Sequence, residues 1–189
     1  VGQGFSTIFL SVNHLSDEIE SHFADGCRWG AAIEYLREDQ RLGTAGPLSL
    51  LPERPRQPII VMNGDILTSL DFRGLLAFHE ESGATVTMCV RPHEFCVPFG
   101  VVDFKDNLVS SITEKPTYTY HINAGIYVLN PEVLDALAAV TYLDMPDLLN
   151  AQVALGKKVA AYPVEGYWVD VGRVSELEQA NADFRFVFA

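Results

Sequence analysis

Short apolar runs alternate with stretches of helical spacing over the first 90 residues of the chain. The apolar runs are rich in β-branched side chains and predict buried strands at residues 7–12, 32–36, 58–63 and 84–90. After the first run, Leu15, Ile19 and Phe23 recur four residues apart and predict one face of a helix. Ser16 or Asp17 is the expected cap of that helix.

The clearest helical spacing lies between residues 71 and 83. Phe72, Leu75 and His79 occupy positions i, i+3 and i+7, which predicts a helix with one buried face. Asp71 is placed to cap its start, and Gly83 is placed to end it. Strands and helices that alternate in this way favour a parallel, doubly wound α/β sheet.

The pattern changes after residue 90. Three strands follow at short intervals, at residues 99–104, 108–113 and 122–129, and they predict an antiparallel or mixed insertion on the main sheet. Helices are then predicted at 131–138, 145–155 and from about Val174, with strands at 158–163 and 167–170 between them. Because no repeat, linker or low-complexity segment interrupts the chain, residues 1–189 are expected to form one domain.

Charge and composition exclude several classes of function. The net charge is −12 and no basic patch is visible, so a nucleic-acid partner is not expected. No apolar run is long enough to span a membrane, and the first residues do not resemble a signal peptide, so the expected location is cytoplasmic. The three cysteines lack the spacing of a metal site. An acidic chain that binds a phosphorylated small molecule needs local cations, backbone amides or a metal held by carboxylates.

The first candidate segment for such chemistry is the glycine-containing stretch from Leu42 to Gly46. Gly43 and Gly46 stand three residues apart and would let the backbone approach a bound group closely. A helix predicted to begin near Thr44 would point its free N–H groups at the same place. The alternative is a tight loop before a capped helix.

Two acidic candidates stand at the ends of predicted strands. Asp65, in Asn63-Gly64-Asp65, follows a buried strand, and ligands of open α/β sheets bind beyond the carboxyl ends of strands. Asp170 stands in an otherwise apolar strand end and needs a partner, either a metal shared with Asp65 or a cation such as Arg173. The alternatives are a strand-ending turn for Asp65 and a helix cap for Asp170.

Two further segments offer groups for a sugar phosphate. Lys115 is one of 13 cations in the chain and could neutralise a phosphate, or could form a solvated pair with Glu114. The amide of Asn123 suits sugar hydroxyls, and the small residues Ala124 and Gly125 leave room for a ligand. The alternative for the second segment is a bulge in a core strand.

The order of these segments resembles one family. The sequence LGTAG, then NGD after a buried strand, then FGVV, EKP, NAGIYVL and WVDVG is similar to the sugar-1-phosphate nucleotidyltransferases over nearly the whole chain. The resemblance is strongest to the mannose-1-phosphate guanylyltransferase-like branch, especially to bacterial members with CBS domains ahead of the transferase. It implies a Rossmann-like, doubly wound mixed sheet. It also implies an enzyme that transfers a nucleotidyl group from a nucleoside triphosphate, with GTP favoured, to a hexose-1-phosphate.

The resemblance implies a role for each matching residue. Asp65 and Asp170 would hold Mg²⁺, and with Lys115, which would bind the sugar phosphate, they would form the catalytic group. The nucleotide would contact Leu42, Gly43, Thr44, Ala45, Gly46, Asn63 and Gly64. The sugar would contact Gly100, Glu114, Asn123 and Ala124.

The chain departs from the family at one point. The family has an early glycine-rich loop of the pattern GGxGTRLxPLT, followed by a lysine, and nothing in these 189 residues matches it. We therefore expect a first strand-helix unit of roughly 30–40 residues to be missing, which would expose apolar sheet edges and allow a homo-oligomer to form. The chain alone is expected to be weakly active or inactive. The alternative function is a non-catalytic homologue that binds a nucleotide sugar or regulates an enzyme.

Overall fold

The computed structural model of the protein describes residues 2–135, 137 and 140–188. Its strands are β1 (Thr7–Val12), β2 (Ala32–Arg37), β3 (Ile59–Met62), β4 (Ile66–Thr68), β5 (Val86–Cys96), β6 (Val101–Lys105), β7 (Leu108–Thr113), β8 (Thr117–Leu129), β9 (Val159–Pro163) and β10 (Trp168–Asp170). Its α-helices are α1 (Ser16–Phe23), α2 (Phe72–Ser82), α3 (Pro131–Asp135), α4 (Met145–Ala154) and α5 (Val174–Val187). Within these described residues, no helix is both long and apolar enough to cross a membrane.

The largest sheet has four strands in the order β3-β8-β5-β9. The β5–β9 pair is parallel, whereas β8 runs antiparallel to both of its neighbours. Strands β1 and β2 form a separate parallel pair, and β4 pairs with β10 in another small antiparallel sheet. The predicted mixed α/β architecture is confirmed, but the parallel sheet expected for the first 90 residues is divided, because β1 and β2 do not join β3.

Strand β8 supplies the centre of the core because its last six residues are buried on both sides. Tyr127 and Leu129 belong to a cluster with α3 and α4, whereas Ile126 and Val128 belong to a cluster that includes Leu75 of α2. Successive strand residues point to opposite faces, so a continuous apolar run is what a strand covered on both faces requires.

Helix α2 follows its sequence signals closely. The Asp71 carboxylate accepts the N–H of Arg73 at 3.0 Å, and Gly83 ends the helix at φ 60°. His79 lies on the buried face, where its ring bonds the Thr87 hydroxyl at 2.8 Å and the side-chain oxygen of Asn130 at 3.0 Å. This polar contact ties the helix to β5 and to the end of β8.

The predicted cap of α1 is wrong. The helix starts at Ser16 itself, and its capping position is Leu15, which has φ 58° and provides no side-chain cap. The predicted helix at 131–138 is described only as far as Asp135, and residues 136, 138 and 139 lie outside the described part.

Strands β5 and β8 extend well beyond the sheet that they help to form. Past Val90 they pair only with each other, and the same ribbon continues through a kink into the hairpin of β6 and β7. We call residues 91–122 the arm. The arm is longer than predicted, because β5 runs six residues past Val90 and β8 begins five residues before Ile122. Many of its apolar side chains are exposed, among them Phe95, Phe99, Val102, Phe104, Leu108 and Ile112.

Candidate functional site

The turn that carries Asp65 is anchored to the middle of β8. The N–H of Asn63 donates to the carbonyl oxygen of Gly125 at 2.9 Å. Gly125 has φ 69°, and a Cβ atom there would lie 2.9 Å from Nδ2 of Asn63. A glycine is therefore required both by the backbone conformation and by the close approach of the turn.

The side chain of Asn123 holds the same part of β8 in shape. Its oxygen accepts the N–H of Gly125 at 3.0 Å, and its nitrogen donates to the hydroxyl of Tyr127 at 2.5 Å. Burial raises the pKa of Tyr127, and the hydrogen bond from Asn123 opposes that rise. Because an amide nitrogen carries two hydrogens, one donor of Asn123 stays available for a ligand.

Asp65 and Asp170 lie at the ends of two paired strands. Asp170 is opposite Ile66 in the β4–β10 register, and the N–H of Val171 donates to the backbone oxygen of Asp65 at 2.8 Å. The indole N–H of Trp168 donates to the oxygen of Ala124 at 2.9 Å, so β10 is also bonded to β8. The fold thus brings together the NGD, NAG and WVD segments that are far apart in the sequence.

The two carboxylates of this cluster repel each other. Burial and the negative charges of Asp65 and Glu176 raise the pKa of Asp170. Among the described residues, neither aspartate has a salt-bridge partner within 4.0 Å, and Arg173 does not supply one. Arg173, not Asp170, occupies the capping position of α5.

This carboxylate pair fits a magnesium ion better than a metal bound by protein ligands alone. No group of three or more His, Cys, Asp or Glu suited to a metal occurs in the described part of the chain. Magnesium is commonly bound by one or two carboxylates together with substrate phosphates. Asp65 and Asp170 have that character, since neither forms a salt bridge within the described residues and each is exposed enough to meet a phosphate-bound ion.

The segment from Leu42 to Gly46 is held by hydrogen bonds to residues 143–145. The oxygen of Leu143 accepts the N–H groups of Ala45 and Gly46 at 2.9 and 3.0 Å, and the N–H of Leu143 donates to Leu42 at 2.8 Å. The helix expected to begin near Thr44 is a short 3₁₀ helix over Gly46–Leu50, with Ala45 in its capping position. The amides predicted to be free at a helix start are therefore already used within the fold.

Gly100, Glu114 and Lys115 meet at the kink of the arm. A Cβ atom at Gly100 would lie 3.0 Å from Oε2 of Glu114, and the N–H of Lys115 donates to the oxygen of Phe99 at 3.3 Å. Lys115 has φ 45°, a conformation that is strained for a residue with a side chain. In the described part of the chain, Lys115 forms no salt bridge with Glu114.

The predicted sugar-binding residues fall into two groups. Thr117, next to the kink, and Asn123 are six positions apart in β8. That spacing corresponds to about 20 Å in an extended strand. The carboxylate pair, Asn123 and Ala124 therefore form one cluster, and Gly100, Glu114 and Lys115 form another farther along the arm.

Two contributors to the site were not predicted from the sequence. Arg91 donates to the oxygen of Gly166 at 3.0 Å, and its guanidinium carbon lies 5.7 Å from the ring centre of Trp168, beside the carboxylate cluster. Asp144 accepts hydrogen bonds from the loop at Thr44. Arg91 in β5 and Asp144 before α4 make these contacts with residues that are distant in the sequence. No local sequence pattern around either residue predicts them.

The mixed α/β fold is shared with a known protein family. A profile of the family described as Nucleotidyl transferase matches residues 1–185, and the chain belongs to this family. The UTP–glucose-1-phosphate uridylyltransferase of Synechocystis sp. is 34% identical over 197 residues, which cover 94% of this chain and 51% of the relative. The mannose-1-phosphate guanyltransferase of Schizosaccharomyces pombe is 33% identical over 179 residues, with coverages of 90% and 49%. The chain thus spans about half the length of the curated relatives it matches.

Solved structures agree on the fold. HddC from Yersinia pseudotuberculosis superposes with a TM-score of 0.72 at 21% identity, covering 97% of this chain and 80% of that one. A putative glucose-1-phosphate thymidylyltransferase from Bacillus anthracis gives a TM-score of 0.69 at 22% identity, with coverages of 93% and 74%. The fold expected from the sequence resemblance is confirmed.

Proposed function

We propose that this chain carries part of the active site for nucleotidyl transfer from a nucleoside triphosphate to a hexose-1-phosphate, giving a nucleotide sugar and pyrophosphate. The observation that carries this proposal is the Asp65–Asp170 pair, which lies at the ends of paired strands without a cation of its own. The names of relatives matched over 90% or more of the chain support the same chemistry.

The proposed reaction needs no covalent enzyme intermediate. An oxygen of the sugar phosphate attacks the α-phosphorus in line, a new P–O bond forms, and the bond to the β-phosphate oxygen breaks as pyrophosphate leaves. The contribution of the protein is to position the two phosphates and to neutralise the charge that develops on them.

Each proposed role follows from the site geometry and the resemblance. Asp65 and Asp170 would hold Mg²⁺, which when bound supplies positive charge to the α-phosphate. The segment from Leu42 to Gly46, together with Asn63 and Gly64, would contact the nucleotide. Asn123 and Ala124 would contact the sugar, with Gly100 and Glu114 on the arm, and Lys115 would neutralise the sugar phosphate.

Guanine and mannose are the proposed base and sugar, because mannose-1-phosphate guanyltransferases recur among the relatives. A uridylyltransferase among the same relatives makes UTP and glucose-1-phosphate the comparison pair for a test. We further propose that the protein acts in the cytoplasm and that copies can associate through apolar surface left exposed in this chain.

A direct assay tests the proposal. The chain is incubated with GTP, mannose-1-phosphate and Mg²⁺, and the nucleotide sugar and pyrophosphate are measured, with UTP and glucose-1-phosphate in a parallel arm. Slow turnover that requires Mg²⁺ and is lost in Asp170→Asn is expected. The rate is expected to be low, because the 189 residues contain no GGxGTRL-type loop to stabilise the leaving pyrophosphate. Near-normal turnover would refute the low rate, and turnover without Mg²⁺ would refute the metal role.

The separation of Lys115 from the carboxylate cluster favours a second candidate function. A homologue that binds a nucleotide sugar without making one would not need this lysine beside the metal. Tight binding of GDP-mannose by the chain, with no turnover under any metal condition, would support that alternative.

A further inference from the structure

Asp144 stands at the start of α4 but does not cap its own helix. It has the backbone conformation of a capping residue, yet its carboxylate accepts no hydrogen bond from the first turn. One carboxylate oxygen instead accepts the backbone N–H of Thr44 at 3.1 Å and its hydroxyl at 3.4 Å. The other oxygen accepts the hydroxyl of Tyr142 at 2.6 Å.

Thr44 in turn accepts a hydrogen bond from the start of α4, which lies about 100 residues away in the sequence. Its hydroxyl oxygen accepts the N–H of Met145, the first residue of α4, at 2.7 Å. The unpaired donor at the helix start is thereby satisfied by the loop, and the loop amide is satisfied by the residue in the capping position. The hydrogen bond from Tyr142 and the bond from the Thr44 N–H lower the pKa of Asp144, so the carboxylate is charged at neutral pH.

The loop fits this partner only with a glycine beside Thr44. Gly43 has φ 80°, and a Cβ atom there would lie 2.6 Å from the oxygen of Leu143 and 2.7 Å from Oδ1 of Asp144. The backbone bonds of Leu143 to Leu42, Ala45 and Gly46 surround the same contact. The peptide between Gly43 and Thr44 is therefore held in one orientation, with the Asp144 carboxylate as its only side-chain acceptor among the described contacts.

We propose that Asp144 is a positioning residue for the nucleotide site, acting through Thr44 to fix the loop from Leu42 to Gly46. This inference rests on the proposed function, in which that loop contacts the nucleotide. Asp144 contacts no substrate in this scheme. Removal of the Asp144 carboxylate releases the Thr44 amide and lets the Gly43–Thr44 peptide turn. Nucleotide binding should therefore weaken, whereas binding of the sugar phosphate should not change.

The test measures loop order and ligand affinity separately. Amide hydrogen exchange at Thr44, Ala45 and Gly46 reports the state of the loop, and titration calorimetry gives dissociation constants for Mg²⁺–GTP and for mannose-1-phosphate. In Asp144→Ala, we expect faster exchange at Thr44 and a GTP dissociation constant raised by roughly tenfold or more, because a misplaced binding group is costly. The dissociation constant for mannose-1-phosphate should stay unchanged.

Matched variants separate positioning from general damage to the helix. Asp147→Asn removes a carboxylate from the same first turn of α4 without touching Thr44, and it should leave both affinities unchanged. Asp144→Asn keeps a side-chain oxygen that can accept the Thr44 N–H, so it should weaken GTP binding less than Asp144→Ala does.

The failures of the two proposals can be distinguished. If the wild type binds Mg²⁺–GTP and Asp144→Ala binds it equally well despite faster exchange, the positioning role is overturned and the proposed function stands. A loss of both affinities together with a lower melting temperature would also overturn it, since that is the result of a structural defect. If the wild type binds no nucleoside triphosphate, both proposals fall.

Discussion

The backbone N–H of Asn63 donates to the carbonyl oxygen of Gly125 at 2.9 Å, so the turn that carries Asp65 rests on the middle of β8. The N–H of Gly125 also donates to the side-chain oxygen of Asn123, and the carbonyl oxygen of the neighbouring Ala124 accepts the indole N–H of Trp168. One short stretch of β8 thereby sets the positions of both metal-binding candidates, Asp65 through its turn and Asp170 through β10.

Replacing Gly125 with alanine is expected to destabilise the protein by about 1–3 kcal/mol, because φ 69° is strained for a residue with a side chain. The new methyl group would also push against the amide of Asn63, 2.9 Å away, and should shift the turn. Urea unfolding measures the first effect, and Mg²⁺-dependent turnover measures the second.

Gly83→Ala is the matched control for that variant. Gly83 has φ 60°, but a Cβ atom there would meet nothing within 4 Å, so it isolates the backbone strain. It should lower stability by about 1 kcal/mol and leave turnover unchanged. Equal turnover in the two variants would contradict the claim that the close approach at Gly125 matters.

Asp170 gives a prediction about pH. Burial and the charges of Asp65 and Glu176 raise its pKa above the ordinary value of 3.8, so the folded state binds this proton more tightly than the unfolded chain. Its contribution to stability therefore falls as pH rises from 3.8 through the folded pKa, and the full destabilisation is present at neutral pH. Asp170→Asn should raise the melting temperature at pH 7 by roughly 1–2 °C, with the gain shrinking toward pH 4.

The same variant should respond differently to metal. Mg²⁺ is expected to raise the melting temperature of the wild type, because a ligand that binds only the folded state stabilises it. Asp170→Asn should lose that response, while Glu178→Gln, an exposed carboxylate change on α5, should keep it. A wild-type response to Mg²⁺ in Asp170→Asn would remove Asp170 from the metal site.

The three cysteines should differ in reactivity. Cys89 is fully buried, and burial raises its pKa to about 12, so it should react with iodoacetamide only after unfolding. The hydrogen bond from Cys27 to the Asp25 carboxylate, reinforced by its charge, raises the pKa of Cys27. Cys96 is exposed and should be labelled first, then Cys27, as followed by mass spectrometry.

Asp25→Asn provides the check on this order. Removing the carboxylate should speed the labelling of Cys27 and leave Cys96 unchanged. Labelling of Cys89 in the native protein at the rate of the other two would show that its strand opens. The burial of Val86, Thr87 and Cys89 in the first half of β5 argues against such opening.

Local sequence signals predicted helices and strands wherever the physical cause was local. Asp71 and Gly83 bound α2 because a capping carboxylate and a left-handed glycine act within a few residues of the helix end. Leu15 instead of Ser16 occupies the capping position of α1, with its own backbone in the left-handed region, and no composition signal marks such a turn. The prediction underestimates the arm, although Tyr118, Tyr120 and Ile122 alternate with polar residues in the way that is typical of a strand.

The sequence names candidate residues for the site but not their arrangement. Asp65 and Asp170 stood out as acidic residues at apolar strand ends, and the fold brings their strands together. The amides of Ala45 and Gly46 were expected to face a ligand, yet Leu143 accepts both. That partner lies about 100 residues away, and only tertiary structure can reveal such pairing.

Lys115 provides the sharpest test of the arm. It is exposed at the kink, about 20 Å of strand from Asn123, so its charge can serve the sugar phosphate only if the arm and the carboxylate cluster contact the same substrate. Lys115→Gln should lower kcat/KM for mannose-1-phosphate by about 10²-fold, since a single stabilising contact to a reacting group has that size. Lys105→Gln makes the same charge change beyond the kink on β6 and should leave kcat/KM unchanged. If the two variants behave alike, Lys115 does not contribute to the reaction, and the candidate cation for the sugar phosphate becomes Arg91, which lies over the ring of Trp168 in β10.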